Sequence, residues 1–341
     1  MRRKGLKLAC LAMALVMLMS GCSTAVDDGR AEGEYQTIEL TMAVNGTDTQ
    51  IDARVADYFA ALVEERSGGN VTVAVFPNDQ LANGNASRGI EMIASGSTDL
   101  AAYATCTLAV IDEKLPVATI PWIFEDYDEA VAVIDSTGKD YYAERLAMKG
   151  MTYLGSFHNG FRQLTNSKHE VRTPEDVEHL KIRVPGSVVF MGFFNALGAD
   201  PTAMNWSEVF TAIQQGTLDG QENGVSITDS SKMYEVQDYL TLWNYSYESD
   251  LFIANTEVWE SLEPKTQELL AECASEACDW GRETLVNEEA ATIEKFKEEG
   301  MTVTYLTDEE MAAFEEAVAD FKQEMFDYFG ADACAAFGIE A

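Results

Sequence analysis

The chain has 341 residues and carries 58 Asp and Glu against 23 Lys and Arg, a formal net charge of −35. So large an acidic excess argues against a nucleic-acid partner, whose phosphates would be repelled, and against docking onto anionic headgroups. The length suits two lobes better than one core.

Arg2, Arg3, Lys4 and Lys7 precede an apolar stretch, Leu8 to Met19, that is too short for a permanent membrane anchor. Ser20-Gly21-Cys22 follows at once. Residues 1–21 therefore read as a secretory signal peptide, and the small residues before Cys22 resemble a bacterial lipobox, with Met19 where leucine is commoner. Cys22 is expected to be lipidated and to become the new N-terminus, with residues 22–36 as a flexible tether. No later apolar run is long enough to cross a bilayer, so the protein is expected to be exported, extracytoplasmic and held to the membrane through Cys22 alone.

Thr37 to Val44 alternates as a strand, and Ile51 to Glu65 has helical spacing with Val55, Phe59, Leu62 and Val63 on one side. Val71 to Phe76 is a second strand stopped by Pro77, Gln80 to Asn85 a loop, Ser87 to Ala94 a helix, and Thr98 to Tyr103 a third strand. This alternation predicts an α/β fold of parallel βαβ units. Tyr127 to Lys149 carries helix broken near Gly138, and Met151 to Phe157 is a strand. His158-Asn159-Gly160 reads as a turn and a candidate hinge before the strand Phe161 to Thr165.

Leu180, Ile182 and Val184 alternate as a half-buried strand that holds Arg183 and is stopped by Pro185-Gly186. No other basic residue follows until Lys232. A guanidinium at the end of a buried strand needs an anion, supplied either by the protein or by a ligand. Val188 to Leu197 is a helix, Ser207 caps another through Gln215, and Asp219 to Gly224 is a glycine-rich polar loop. Tyr239 to Trp243 and Leu251 to Ala254 read as two strands. Pro264 to Glu299 is an amphipathic pattern long enough to lie across two lobes, and Met301 to Leu306 and Asp308 to Phe329 are a last strand and helix.

Cys106, Cys273, Cys278 and Cys334 have no metal-like spacing, so they read either as buried thiols or as partners in a disulfide that export would permit. The three histidines are His158, His169 and His179. Hydrolase, phosphate-loop, zinc and dinucleotide motifs are absent, so no metal, no cofactor and no enzymatic activity are expected.

Taken singly, Arg183 and Arg162 read as ion-pair arginines, Trp206 as a core aromatic and Asn223 as a turn residue. Together they sit at the ends of elements in one lobe, where open α/β sheets gather ligands. Two arginines, an amide and an aromatic wall make a small-anion site of ordinary composition.

Three segments, GFRQLTNS at Gly160–Ser167, LKIRVPGS at Leu180–Ser187 and MNWSEVFTAIQQGTLDGQENG at Met204–Gly224, carry a closer likeness. With FPNDQL at Phe76–Leu81 and SLEPKTQELL at Ser261–Leu270, they resemble the substrate-binding proteins of tripartite ATP-independent periplasmic (TRAP) transporters, DctP type. The resemblance covers nearly the whole chain beyond the signal. It implies a two-lobed, periplasmic-binding-protein-like fold of the Venus flytrap kind, with a long helix spanning both lobes. Residues 37–159 plus about 249–287 would form lobe I, and 160–248 plus about 288–341 lobe II.

In that family the arginine matching Arg183 pairs with the substrate carboxylate, and the one matching Arg162 supports it. The aromatic matching Trp206 stacks on the ligand, and the asparagine matching Asn223 contacts the carboxylate. Asn45 and Tyr103 would face the cleft from lobe I. The implied function is capture of a small carboxylate, such as a C4-dicarboxylate or a sugar acid, by lobe closure, and its delivery to membrane permease subunits driven by an ion gradient. A monomer is expected. The alternatives are a lipoprotein that senses its ligand for a receptor, and a secreted hydrolase using a carboxylate pair such as Asp219 and Glu222.

Two departures from the family pattern stand out. Gly224 replaces the usual proline after Glu-Asn, so that loop is expected to be looser. Around Leu81 to Ser97, where an acidic-Arg pair is common, this chain has Asn83, Gly84, Asn85, Ala86, Ser87 and Arg88, so lobe I is expected to set the choice of ligand.

Overall fold

The alternating run IELTMAV forms strand β1 (Ile38–Val44), with Leu40, Met42 and Val44 buried. The computed structural model describes residues 34–339, so the signal peptide, Cys22 and most of the expected tether lie outside the described residues. Strands β2 (Val71–Phe76) and β3 (Leu100–Ala104) flank β1, both parallel to it, joined through the helices Ile51–Ser67 and Ala86–Ala94. The other strands are β4 (Met151–Asn166), β5 (Ile182–Val184), β6 (Thr202–Ala203), β7 (Gly220–Gly224), β8 (Tyr239–Asn255) and β9 (Thr302–Tyr305). Among the described residues they form one sheet in the order β2-β1-β3-β8-β4-β7-β5-β6, with β9 beside β8.

The expected parallel pairing holds at the two ends of this sheet and between β8 and β9. At its centre β3–β8, β8–β4 and β4–β7 are antiparallel. The reason is that β4 and β8 are long, 16 and 17 residues, and each passes from one lobe to the other, so the return must run the opposite way. β8 lies beside β3 at Asp250–Ala254 and beside β9 at Tyr239–Leu242, while β4 pairs with β8 along its length and with β7 at Arg162–Asn166. The fold is thus mixed α/β and two-lobed.

Sequence reading divides each long strand in two, at His158–Gly160 and between Trp243 and Leu251. The structure instead keeps the ladder running through irregularities at Tyr153/Gly155, His158/Gly160 and Arg162/Leu164. Such bulges absorb an extra residue and bend the strand without ending it. Gly160 takes φ 118°, a conformation that favours glycine.

The long helix Pro264–Glu298, 35 residues, touches both lobes. On the first, Trp280 stacks on Tyr58 at 4.8 Å and Glu288 accepts from Arg54 at 2.8 Å. On the second, Lys295 donates to Asp229 at 2.6 Å. The expected last helix is divided into Asp308–Ala317 and Ala319–Phe329, followed by Ala331–Ala336, after which Phe337 packs on Tyr142 at 5.2 Å. Cys106, Cys273, Cys278 and Cys334 are free, buried thiols. Among the described residues no helix is long and apolar enough to cross a membrane.

His158, at a β4 bulge, is 2 % exposed and bonds the Tyr247 hydroxyl through Nδ1 at 2.8 Å. Burial, then the charge of Arg282, pulls its pKa from 6.5 down to about 3, so the folded protein keeps it neutral. The unfolded chain takes up that proton near 6.5, and stability from this group is lost as pH falls from there towards 3. By pH 4 the loss is about 3 kcal/mol at about 1.4 kcal/mol per pH unit. His158→Gln is expected to remove that part of the difference in unfolding free energy between pH 7 and pH 4, measured by urea denaturation. An equal acid loss in both proteins would contradict it.

Candidate functional site

Arg183 occupies the middle of β5 and is 5 % exposed, while its neighbours Ile182 and Val184 are fully buried. Its Nε and Nη2 both donate to the Met204 carbonyl, at 2.9 and 2.7 Å. Its guanidinium carbon lies 5.2 Å from the centre of the Trp206 ring. Pairing of β5 with β6, Arg183 opposite Thr202, brings the two together. Trp206 itself begins the helix Trp206–Gln214, whose N-cap is Asn205 rather than Ser207, so the ring sits at the helix mouth. Among the described residues Arg183 forms no salt bridge with a carboxylate. Burial lowers its pKa to about 10, with Glu222 pulling upward and Arg162 downward, so it stays charged at neutral pH.

Arg162, on β4, is also buried but has an anion of its own. Its Nη2 donates to Glu222 Oε1 at 2.9 Å and to the Glu222 carbonyl at 3.1 Å, and its Nε to Oε2. The Tyr245 hydroxyl donates to the same carboxylate at 2.6 Å. Burial works against the Arg162 charge, and Glu222 outweighs that, so the guanidinium pKa is raised.

Glu222 lies on β7, a segment that sequence alone reads as a loop. The strand is entirely buried and pairs with β4 on one side and β5 on the other. Its glycines are required by close approach. A Cβ at Gly220 would lie 2.3 Å from the Thr165 carbonyl oxygen, and one at Gly224 would lie 2.7 Å from that of Asn159. The loop expected to be looser is therefore a packed strand end. Asn223, 5 % exposed, is held by its own Oδ1 accepting from Gly224 N at 3.2 Å.

Arg162, Arg183, Trp206, Asn223 and Asn45 all line one cleft, which narrows at its floor between Gln50, Asn159 and Arg162. The open part has a volume of about 470 Å³. Asn45 enters from the end of β1, its Nδ2 donating to Asp79 at 2.5 Å. Tyr103, expected beside it, is fully buried and donates to Asp79 at 2.7 Å instead. Alternation along β3 explains this: Ala104 reaches the cleft, so Tyr103 points to the other face.

A layer of acids lies behind Asn45, Gly46 and Asn159. Asp52 accepts from Gly46 N at 2.7 Å, and Asp250 takes both oxygens to Asn159 Nδ2 at 3.2 Å. Burial, opposed by these backbone bonds and aided by Asp79, raises Asp52 to about 6. Burial, then Asp52, raises Asp250 as well. Sequence reading takes Asn159 only as a hinge, and it overlooks Gln50 and Thr107. Their one signal is position: Asn159 at a strand bulge, Gln50 at the N-cap of the helix Ile51–Ser67, and Thr107 just after the end of β3.

Two other cavities suit an anion poorly. One of about 790 Å³, at Trp122, Asn244 and Glu315, has several glutamates and no basic residue. Another of about 270 Å³ holds Arg54, Lys295 and Lys232, the first two committed to Glu288 and Asp229 and the third 3.9 Å from Glu235, and it is lined by Glu288, Glu289 and Asp229 as well. Asp219 and Glu222 do not face one another as an acid pair would. Asp219 accepts from Lys181 N at 2.9 Å and pairs with Lys168 at 3.0 Å, while Glu222 is buried against Arg162.

Residues 42–328 match the DctP family of bacterial extracellular solute-binding proteins, family 7. The chain is 30 % identical over 291 residues to the 2,3-diketo-L-gulonate-binding periplasmic protein of Escherichia coli K12, covering 85 % of this chain and 87 % of that one. It is 31 % identical over 280 residues to the C4-dicarboxylate-binding periplasmic protein of Rhodobacter capsulatus, covering 82 % and 83 %. The crystal structure of a sugar acid binding protein from Advenella mimigardefordensis in complex with galactonate superposes with a TM-score of 0.85 at 28 % identity, covering 89 % of this chain and 97 % of that one.

Proposed function

This chain belongs to the DctP family of TRAP-transporter solute-binding proteins, and we propose that it captures a small organic acid between its lobes. Arg183 anchors the carboxylate, Asn223 offers a second contact, Trp206 forms the wall, and Arg162 supports the anchor from its pair with Glu222. Asn45 reaches the ligand from lobe I. The observation that carries this reading is the buried Arg183 guanidinium, which bonds a backbone carbonyl and no protein carboxylate while facing the cleft. A charge so placed is most stable when a ligand brings its counter-ion.

Residues 37–159 with about 249–287 act as lobe I, and 160–248 with about 288–341 as lobe II. They close about Asn159, the crossing near Ser249 and the long helix. Contacts that a bound acid makes only when both walls meet it favour the closed state. The loaded, monomeric protein, tethered through a lipidated Cys22, then delivers the acid to an ion-gradient-driven permease. The proteins of known ligand that it resembles, named for diketogulonate, C4-dicarboxylates and galactonate, support an organic acid as cargo.

A thermal-shift screen against organic acids tests this. An acid present at 100 times its dissociation constant is expected to stabilise the protein by about 2.7 kcal/mol and to raise its melting temperature. No shift with any organic acid would overturn the proposal.

A further inference from the structure

We infer that Ser207 is a positioning residue for retention: its hydroxyl ties one lip of the cleft to the other and sets how long a bound acid is held. This rests on the reading that the two lobes close about an acid.

Ser207 Oγ donates to the Gly84 carbonyl at 3.1 Å, across 123 positions of the chain. Gly84 stands just before Ala86 and Ser87, and Ser207 lies between Trp206 and Glu208. All four of these neighbours line the open part of the cleft. The bond therefore joins the two lips at the mouth, away from Asn159 at the floor. The hydroxyl is available for it because Asn205, not Ser207, occupies the N-cap of the helix Trp206–Gln214. Asn83, Gly84 and Asn85, where the chain departs from the family pattern, do not themselves line the cleft. They build the lip.

Each lip is fastened to a residue that meets the ligand. On lobe I, residues 77–85 take left-handed φ at Asn78, Asp79, Asn83 and Gly84, from 49° to 77°. Asn78 N and Asp79 N pin that shape to the end of β1, donating to the Gly46 and Val44 carbonyls at 2.7 and 3.1 Å. The Asp79 carboxylate accepts from Asn45 at 2.5 Å, and its carbonyl accepts from Gly84 N at 3.0 Å. On lobe II, the Met204 carbonyl, three residues before Ser207, accepts from Arg183 Nε and Nη2 at 2.9 and 2.7 Å. An acid bridging Arg183 and Asn45 thus fixes both lips where the bond forms. A contact made only in the closed state slows release and leaves entry unchanged. Ser207 is exposed, so its hydroxyl exchanges Gly84 for water at small cost and the cleft can reopen.

Stopped-flow kinetics of one organic acid, the one that gives the largest shift in the thermal-shift screen, provide the test. Ser207→Ala is expected to release it about threefold to tenfold faster than the unmodified chain, the effect of one hydrogen bond, at an unchanged association rate. Ser207→Thr keeps the hydroxyl and is expected to release it within about twofold of the unmodified rate. A Cβ at Gly84 would lie 3.7 Å from the Ser207 Cβ. That falls within the roughly 3.5–4.5 Å of a disulfide. Gly84→Cys with Ser207→Cys is therefore expected to cross-link when oxidised glutathione accepts the thiol electrons and protons, and faster with the acid bound, read by mass and by non-reducing gel. Equal release rates in Ser207→Ala and the unmodified chain, with binding lost in Arg183→Ala, would overturn this inference and leave the organic-acid reading standing. So would a folded double variant that forms no cross-link. If Gly84→Cys does not fold at its φ of 77°, the release rates decide alone. No organic acid binding at all would overturn both readings.

Discussion

Glu222→Ala is expected to destabilise the protein by about 3–5 kcal/mol, the usual cost of leaving one partner of a buried pair uncompensated. Glu222 is fully buried and Arg162 is 2 % exposed, so neither charge can be rescued by water. The carboxylate takes hydrogen bonds from Arg162 and from Tyr245, and both donors would be orphaned together. Thermal unfolding should fall by on the order of 10 °C for a unit of this size. The double replacement Arg162→Met with Glu222→Leu separates two explanations. If the cost is that of a stranded charge, removing both charges recovers most of the stability. If the variant lacking Glu222 alone loses less than about 1 kcal/mol, the pair is not the structural unit described here.

That pair marks the limit of what the sequence could tell. The segment Gly220–Gly224 contains residues that individually favour turns, and it reads as a loop. It is a central strand because its neighbours β4 and β5 bury it on both sides and its glycines admit the Thr165 and Asn159 carbonyls. Local propensity was overridden by tertiary packing, and so the partner of Arg162 was hidden. The long strands β4 and β8 were obscured in a similar way, since bulges at polar residues look like turns when only local periodicity is available. Arg183 was legible because a lone arginine inside an apolar alternation is a local anomaly. Trp206 and Asn223 gained meaning only through the spacing of the motifs around them. Tyr103 was misplaced by one residue of a period-two pattern, which turns a side chain to the opposite face. The acids behind Asn45, Gly46 and Asn159 left no sequence signature, because Asp52, Asp79 and Asp250 are spread over some two hundred positions and meet only in the fold.

Arg183→Ala is the second variant with a large expected effect, on binding rather than on folding. A guanidinium–carboxylate contact made through two charge-assisted hydrogen bonds is worth about 3 kcal/mol or more, which is at least 100-fold in affinity. Arg183→Lys keeps a charge but loses the planar fork, and is expected to lose roughly tenfold. The fold should survive in both, because the Arg183 side chain bonds only the Met204 carbonyl and supports no buried carboxylate. The most direct measurement is a calorimetric titration of one organic acid, taken from the thermal-shift screen, into the unmodified chain and into Arg183→Ala, with circular dichroism on both. Loss of at least 100-fold in affinity with an unchanged spectrum is the predicted result, and equal affinity in the two proteins would contradict Arg183 as the carboxylate anchor.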